Sequence, residues 1–385
     1  MVLFLHNRYR TTGGEERVVA DLLWLVREQL EEPAQLLQRD SAQLAPARAA
    51  LGLVRGGLDP AQVGAAVRAS GARVVHAHNL LPALGWRALA AARSAGARVV
   101  LHLHQYRLVC AIGVCYTRGA ECTRCRGRNT LPGLRLNCRG RMPEALAYAT
   151  ALSLWQRRMV DQADAVIVPS AFACERLREL GAPLPWERVT VLAPPLPALG
   201  QARRRTAAEP AHGGPRGGGA SRPYALVVSR LAAEKGVEVA IEACRMAGIA
   251  LVVAGEGPQA GELRRRAGDG DVRFLGRVDD AELARLRAGS ALALAPSRSA
   301  ETFALAAAEA MAAGVPVAAS RLGALPELVG EEGLVAPGDA GALARAIERL
   351  AGDRAAGERG RARVAAICAP QVVAGGLASV YGPTA

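Results

Sequence analysis

Short apolar runs rich in β-branched residues recur along the chain, with helix-length stretches between them. In the first half they read VLFLH, RVVHAHN, ARVVLHLH, AVIVPS and VTVLAPP. This is the strand-helix-strand rhythm of a parallel sheet. From residue 198 to 223 the pattern stops, and Gly, Pro, Arg and Ala replace any periodicity. Such a composition cannot bury a core, so the stretch is expected to be a linker. The rhythm restarts with YALVVSR, ALVVAGEG, VRFLG, LALAPS, VPVAAS and EGLVAPG. The expected fold is α/β, with two doubly wound Rossmann-like domains facing a cleft. The boundaries are 1–197 for the first domain, with a cysteine-rich insertion at about 105–140, and 224–365 for the second. A terminal segment, 366–385, is expected to pack back on the first domain. The 385 residues exceed what one core usually sustains, which agrees with two domains.

In open α/β sheets, ligands sit beyond the carboxyl ends of the strands. His78-Asn79, His104, Ser170, Arg230, Gly255-Glu256-Gly257 and Ser297 each follow an apolar run in that way. Any one of them reads as an ordinary loop residue; their recurrence at equivalent places points to a site.

Composition narrows the class. No uninterrupted apolar run approaches the ~20 residues of a membrane span, and MVLFLHNRYR reads as a buried first strand rather than a leader. A cytoplasmic location is expected. The formal net charge of +13 suits an anionic partner, whether a phosphorylated small molecule, an acidic membrane surface or nucleic acid. Aromatics are only 4%, with no Arg-rich stretch interleaved with rings, which disfavours nucleic acid. Lys235 is the single lysine among 48 basic residues. In a chain that otherwise uses Arg, it marks a place where a bulky planar head would not fit.

Three stretches carry chemistry. RTTGGEERVV sets Gly13 and Gly14 between a strand and a helix, either as turn glycines or to let backbone N–H groups approach an anion. In SRLAAEKGVE, Arg230 and Lys235 lie between a strand and an amphipathic helix, where a fork and a point charge together would neutralise a diphosphate. In SRSAETFALAAAEAMAAG, Glu301 falls in a loop and Glu309 inside the helix that follows. The backbone of Thr302, Phe303, Ala304 and Leu305 would present N–H groups at that helix start. A carboxylate at Glu309 among small apolar residues needs a hydrogen-bonding partner, and a ribose diol is one. Asp269 and Asp271 imitate a metal-binding pair but occupy a turn before VRFLG.

SRLAAEKGV, VVAGEGP, VRFLGRV, APSRSAETFALAAAEAMAAGVPVAAS, GALPELV and EGLVAPGD, in this order, resemble the C-terminal half of retaining glycosyltransferases of family 4, which have the GT-B fold. GGEERVV, VVHAHN and HLHQYRL resemble the first half more loosely. The resemblance implies transfer of a hexose-type sugar from a nucleoside-diphosphate sugar to an acceptor hydroxyl, by front-face displacement and without a catalytic metal. It also implies roles for particular residues. Arg230 and Lys235 would hold the donor diphosphate and stabilise the leaving group. Glu309 would hold the ribose, Glu301 the sugar hydroxyls, and residues 302–305 the phosphates, with Gly255 and Glu256 beside the donor. His104 would lie near the reaction centre, and Gly13 and Gly14 would let the first loop approach. The family commonly has glycine where this chain has Thr302 and Ala304, which puts the phosphate approach at Ala304 in doubt. The first domain would be the acceptor side. The acceptor would be lipid-linked or a polysaccharide precursor, with peripheral contact at the anionic inner membrane face. The alternative is a small soluble natural-product acceptor. A sugar-nucleotide epimerase and a phosphorylase are rival enzymes of the same fold; the phosphorylase would need a further lysine for pyridoxal phosphate.

Five of the eight cysteines fall in CAIGVCYTRGAECTRCRGRNTLPGLRLNC. In a cytoplasmic protein this density argues for a metal rather than disulfides. Cys122 and Cys125, with Cys138 and either Cys110 or Cys115, would supply four thiolates for a structural zinc, Cys110 being favoured. An iron–sulfur cluster and unligated thiols are the other readings. A zinc-containing nucleic-acid-binding protein is therefore the rival outside enzymes. Cys174, Cys244 and Cys368 read as core residues.

Overall fold

A computed structural model describes residues 1–10, 13–201 and 222–383. Of the linker expected over 198–223, residues 202–221 lie outside the described residues; a short helix, Pro197–Gln201, occupies its start. Two compact units emerge. The first comprises Met1–Thr117, Cys122–Pro195 and the stretch from Pro370 onwards, and the second comprises Leu196–Ala369 with Arg118–Glu121.

The first half of the chain forms β1 (Val2–Arg8), β2 (Ala34–Asp40), β3 (Val74–Ala77), β4 (Arg98–His102), the two-residue β5 (Tyr116–Thr117) and β6 (Ala120–Glu121), then β7 (Ala165–Val168) and β8 (Val189–Val191). Six of these make one parallel sheet in the order β2-β1-β3-β4-β7-β8. The central strands are buried on both faces, which is why they read as continuous apolar runs. β2, AQLLQRD, did not stand out in the sequence because it is an edge strand, largely open to solvent. The helix Pro370–Tyr381 belongs to this unit and buries Val373, Leu377 and Tyr381.

The second unit holds β9 (Tyr224–Val228), β10 (Ala250–Ala254), β11 (Val272–Gly276), β12 (Leu292–Ala295), β13 (Val317–Ser320) and β14 (Leu334–Val335). Its parallel sheet runs β11-β10-β9-β12-β13-β14. This is the doubly wound order whose connections diverge between β9 and β12, and that divergence opens a crevice at their carboxyl ends. The helix Val237–Ala247 shows how sequence sets a boundary. Gly236 and Gly248, both left-handed, bracket it, and Val237, Ile241 and Cys244 turn inward. Burial of each such aliphatic side chain contributes roughly 1.5–3 kcal/mol.

Arg354–Tyr381 is long and apolar enough, by length and composition, to cross a membrane. It is two helices meeting at Ala369-Pro370, and Val364, Cys368, Val373 and Leu377 are buried in protein. Buried core helices share that length and composition.

Candidate active site

In the second unit the loops after β9 and β12 meet at the divergence of the sheet. Arg298 and Ser299 donate their backbone N–H groups to the carbonyl of Glu234, at 2.8 and 3.2 Å. Over that stitch the Lys235 ammonium donates to Glu301 Oε1 at 2.6 Å, and the Ser297 hydroxyl donates to the same oxygen at 2.5 Å. Burial alone would raise the Glu301 carboxyl, but Lys235, Ser297 and the nearby charge of Arg230 more than offset it and hold it below the ordinary carboxylate range. Arg230 is half exposed and rests on Glu234 in an i,i+4 ion pair. Two cations and a carboxylate foreseen from separate motifs thus share one crevice.

The remaining predicted donor residues are distributed around this core. Gly255 follows β10 with φ +141°, and a Cβ there would meet the Ser229 carbonyl oxygen at 1.9 Å, so only glycine fits. Glu256 is exposed, and its carbonyl accepts from the Leu231 N–H at 2.8 Å. The helix bearing Glu309 begins at Leu305, so Thr302 and Phe303 precede it, and Phe303 is buried. Ala304 caps that helix in the left-handed conformation, φ +70°. That geometry gives a physical reason for a glycine preference at this place, and Ala304 adopts it at a cost.

Glu309 departs from expectation. The Arg287 guanidinium, from the helix Asp280–Gly289, pairs with it, so this carboxylate has a protein partner without a ligand. Arg287 lies 22 residues away in sequence, and no local signal announced it.

His104, Gly13 and Gly14 belong to the first unit. Gly13 caps the helix Gly14–Gln29, but its N–H donates to Glu16 Oε2 at 2.7 Å, so the helix start is already served by its own carboxylate. This corrects the expectation of a free anion cradle: the acidic first turn occupies it. Burial raises the Glu16 carboxyl, yet the His6 imidazole 3.7 Å away and hydrogen bonds from the Gly13 and Tyr9 N–H groups bring it below its ordinary value. Glu15 accepts from the Tyr9 hydroxyl at 2.6 Å and from the Gln105 amide at 3.2 Å, while the Arg107 guanidinium lies 5.0 Å over the Tyr9 ring.

Beside this group stands a feature the sequence reading did not assemble. His76, His78, His102 and His104 lie at alternate positions at the ends of two adjacent strands, and alternate residues share a face. The rings of His76 and His102 stack at 5.3 Å, and those of His102 and His104 at 4.2 Å. The Tyr381 hydroxyl lies 2.7 Å from His76 Nδ1, His76 Nε2 lies 3.1 Å from His102 Nδ1, and His78 Nδ1 lies 2.8 Å from His104 Nε2. Burial depresses all four, His76 to about 3, with mutual repulsion of the imidazoles adding to it. The array is neutral at physiological pH. His76, His78 and His102 hold ligand atoms within 4.8 Å of one another, but both nitrogens of His76 are already hydrogen-bonded. The visible signal was the pair HAH and HLH in neighbouring strands.

Cys110, Cys115, Cys122, Cys125 and Cys138 line a single cavity. Cys244 and Cys368 are core residues, whereas Cys174 is half-buried against the core of the first unit rather than within it.

The chain thus has two parallel doubly wound sheets, with basic and acidic side chains gathered beyond the central strands of the second. A glycosyl transferase 4-like domain model matches residues 8–195 and a glycosyl transferases group 1 model matches residues 222–353. The chain belongs to the group 1 and 4-like glycosyltransferases. Among curated relatives, the MMP alpha-(1->4)-mannosyltransferase of Mycolicibacterium hassiacum is 42% identical over 112 residues, 27% of each chain. The glycogen synthase of Mycobacterium tuberculosis is 41% identical over 152 residues, 36% of each chain. The match thus spans about a third or less of those relatives' length. Among solved structures, Anabaena HepE in complex with UDP and glucose superposes with TM-score 0.62 at 18% identity, covering 98% of both chains. The sucrose-phosphate synthase of Thermosynechococcus elongatus gives TM-score 0.64 at 21% identity, covering 99% of this chain and 98% of its own. These likenesses show the GT-B fold.

Proposed function

We propose that this protein transfers a hexose-type sugar from a nucleoside-diphosphate sugar to an acceptor hydroxyl with retention of anomeric configuration. The observation that carries the reading is the convergence of Arg230, Lys235, Ser297 and Glu301 in the crevice where β9 and β12 diverge. Breaking the anomeric C–O bond places negative charge on the departing diphosphate, and fixed cations stabilise that charge as it develops. Arg230, half exposed and held only by a short i,i+4 pair, turns its fork to the phosphates, while Lys235 acts as the point charge. These two cations supply the charge stabilisation, and no catalytic metal is assigned. Glu301, kept ionised by Lys235, accepts from the sugar hydroxyls. Glu309 accepts from the ribose while retaining Arg287. Thr302, Phe303, Ala304 and Leu305 line the phosphate approach, with Gly255 and Glu256 beside them.

On this reading His104 serves the sugar as a neutral hydrogen-bonding group, with His78 Nδ1 2.8 Å from its Nε2. The leaving phosphate takes the acceptor proton in a front-face displacement. The relatives named mannosyltransferase support cell-envelope glycolipid or polysaccharide synthesis, and the basic surplus of +13 suits a lipid-linked acceptor at an anionic membrane face. Cytoplasmic location with peripheral membrane contact follows from that acceptor.

Thermal shift with UDP-, GDP- and dTDP-sugars tests the donor. Saturation at about 100 Kd stabilises the bound unit by about 2.7 kcal/mol, and Arg230→Ala should abolish the shift. No shift with any donor, or an unchanged shift in Arg230→Ala, removes the proposal. NMR of the product's anomeric proton decides retention.

A further inference from the structure

We propose that Cys110, Cys122, Cys125 and Cys138 form a tetrathiolate zinc centre that organises the segment between His104 and the helix Met142–Asp161. Cysteines from four separate parts of this segment line one cavity, whose walls are otherwise apolar, with Ala111, Ile112 and Leu136 among them. The free space in the cavity is small, about 10 Å³, the room of a single water or ion. The chain packs closely about the cysteines: a Cβ at Gly133 would meet the side chain of Ala111, the residue after Cys110, at 2.5 Å and the Cys125 sulfur at 3.6 Å, and Cys138 donates its N–H to the Gly133 carbonyl at 3.0 Å.

The fifth thiol finds its place by the same geometry. The Cys115 carbonyl accepts from the Cys122 N–H at 2.7 Å, so the place of Cys115 is backbone support of a ligand, and the other four are left to the metal. Zinc prefers four sulfur ligands in tetrahedral array, and the Cys-x-x-Cys pair supplies two from one turn. Four thiolates around one divalent ion carry a net double negative charge. The segment from Gln105 to Arg141 answers it with Arg118, Arg124, Arg126, Arg128, Arg135 and Arg139, against Glu121 as its one acidic residue.

The segment also needs a staple. Its regular structure amounts to a single 3-10 turn, two two-residue strands and the five-residue helix Leu131–Arg135. Stretches this long with so little secondary structure are usually held by a metal or by crosslinks. At its start the turn Tyr106–Leu108 carries Arg107 over Tyr9, and Gln105 bonds Glu15. A metal at Cys110 therefore fixes the residues that brace Tyr9 and Glu15 next to the histidine array.

The full-length protein, purified without chelator, should contain about one zinc per chain by elemental mass spectrometry. Cys115→Ser should retain it, whereas Cys110→Ser, Cys122→Ser, Cys125→Ser and Cys138→Ser should each lose most of it. Where a serine variant fails to fold, peptide-mapped alkylation of the native wild type decides. Cys110, Cys122, Cys125 and Cys138 should be protected until a chelator is added and should react together afterwards. Three results overturn the proposal: metal-free protein with these thiols freely alkylated, iron with acid-labile sulfide in place of zinc, or loss of metal from Cys115→Ser as complete as from Cys110→Ser.

Discussion

Lowering the pH from about 7.5 to about 5.5 should destabilise the first unit selectively, because its histidine array is held neutral by burial. His76, His78 and His102 have folded-state values far below the ordinary 6.5, His76 at about 3. A base whose pKa is depressed on folding contributes its stability fully above the unfolded value and loses it as pH falls toward the folded one. Across that window the proton excess of the unfolded chain over the folded one rises from about a tenth to about nine-tenths per histidine, about half a proton on average. The difference amounts to about 1 kcal/mol per histidine, or a few kcal/mol for the three. The groups facing the array are Tyr381, whose phenol is raised by burial, and, near His104, His6, Glu15 and Glu16. The lowered carboxyls, Glu16 among them, lose their contribution only as pH falls through the region below their ordinary 4.5, so the two effects separate. Trp24, Trp86, Trp155 and Trp186 all lie in the first unit, so intrinsic fluorescence during urea unfolding reports on it alone. The unfolding free energy read this way should fall by a few kcal/mol between the two pH values, and His102→Gln should remove about a third of the dependence. A flat profile in the wild type, or an undiminished slope in His102→Gln, would refute the reasoning.

Lys235→Arg should keep the wild-type thermal midpoint yet lose at least about tenfold in turnover, since the planar fork cannot replace a point charge between Glu301 and the donor; near-full activity would leave the lone lysine unexplained. Glu309→Gln should cost about 1–3 kcal/mol by urea titration, because it leaves the largely buried Arg287 without its counter-charge. Gly255→Ala should destabilise the second unit by more than about 2 kcal/mol in calorimetry, its methyl having no space beside the Ser229 carbonyl. Ala304→Gly should stabilise that unit by roughly 0.5–1 kcal/mol, the left-handed strain relieved less the extra chain entropy of glycine. A lower melting temperature in that variant would count against the strain.

The sequence made the buried strands readable because each is apolar on both faces. Arg230, Lys235 and Glu301 were readable too, since loops after the central strands must converge where the sheet divides. β2 escaped because an edge strand needs little apolar surface, and AQLLQRD carries little. The partner of Glu309 escaped because Arg287 approaches from another helix, and a pairing across elements leaves no spacing to read. Gly13 was legible as a helix start; its N–H being already donated to Glu16 depends on a side-chain rotamer. The histidine array lay half in view: strand alternation fixes that His76 and His78 share a face, but strand order alone sets His102 beside them.

The return of the helix Pro370–Tyr381 to the first unit has a consequence for biosynthesis. The hydroxyl that meets His76 and the carbonyls of Tyr381 and Gly382 that accept from Arg73 leave the ribosome only after the second unit has been made. The sheet from β1 to β8 is translated long before them, so on the nascent chain the far end of the imidazole array waits, without its phenol, while the whole second unit is made. Vectorial synthesis thus sets the order of maturation: the second unit has all its strands before the first can close over its histidines.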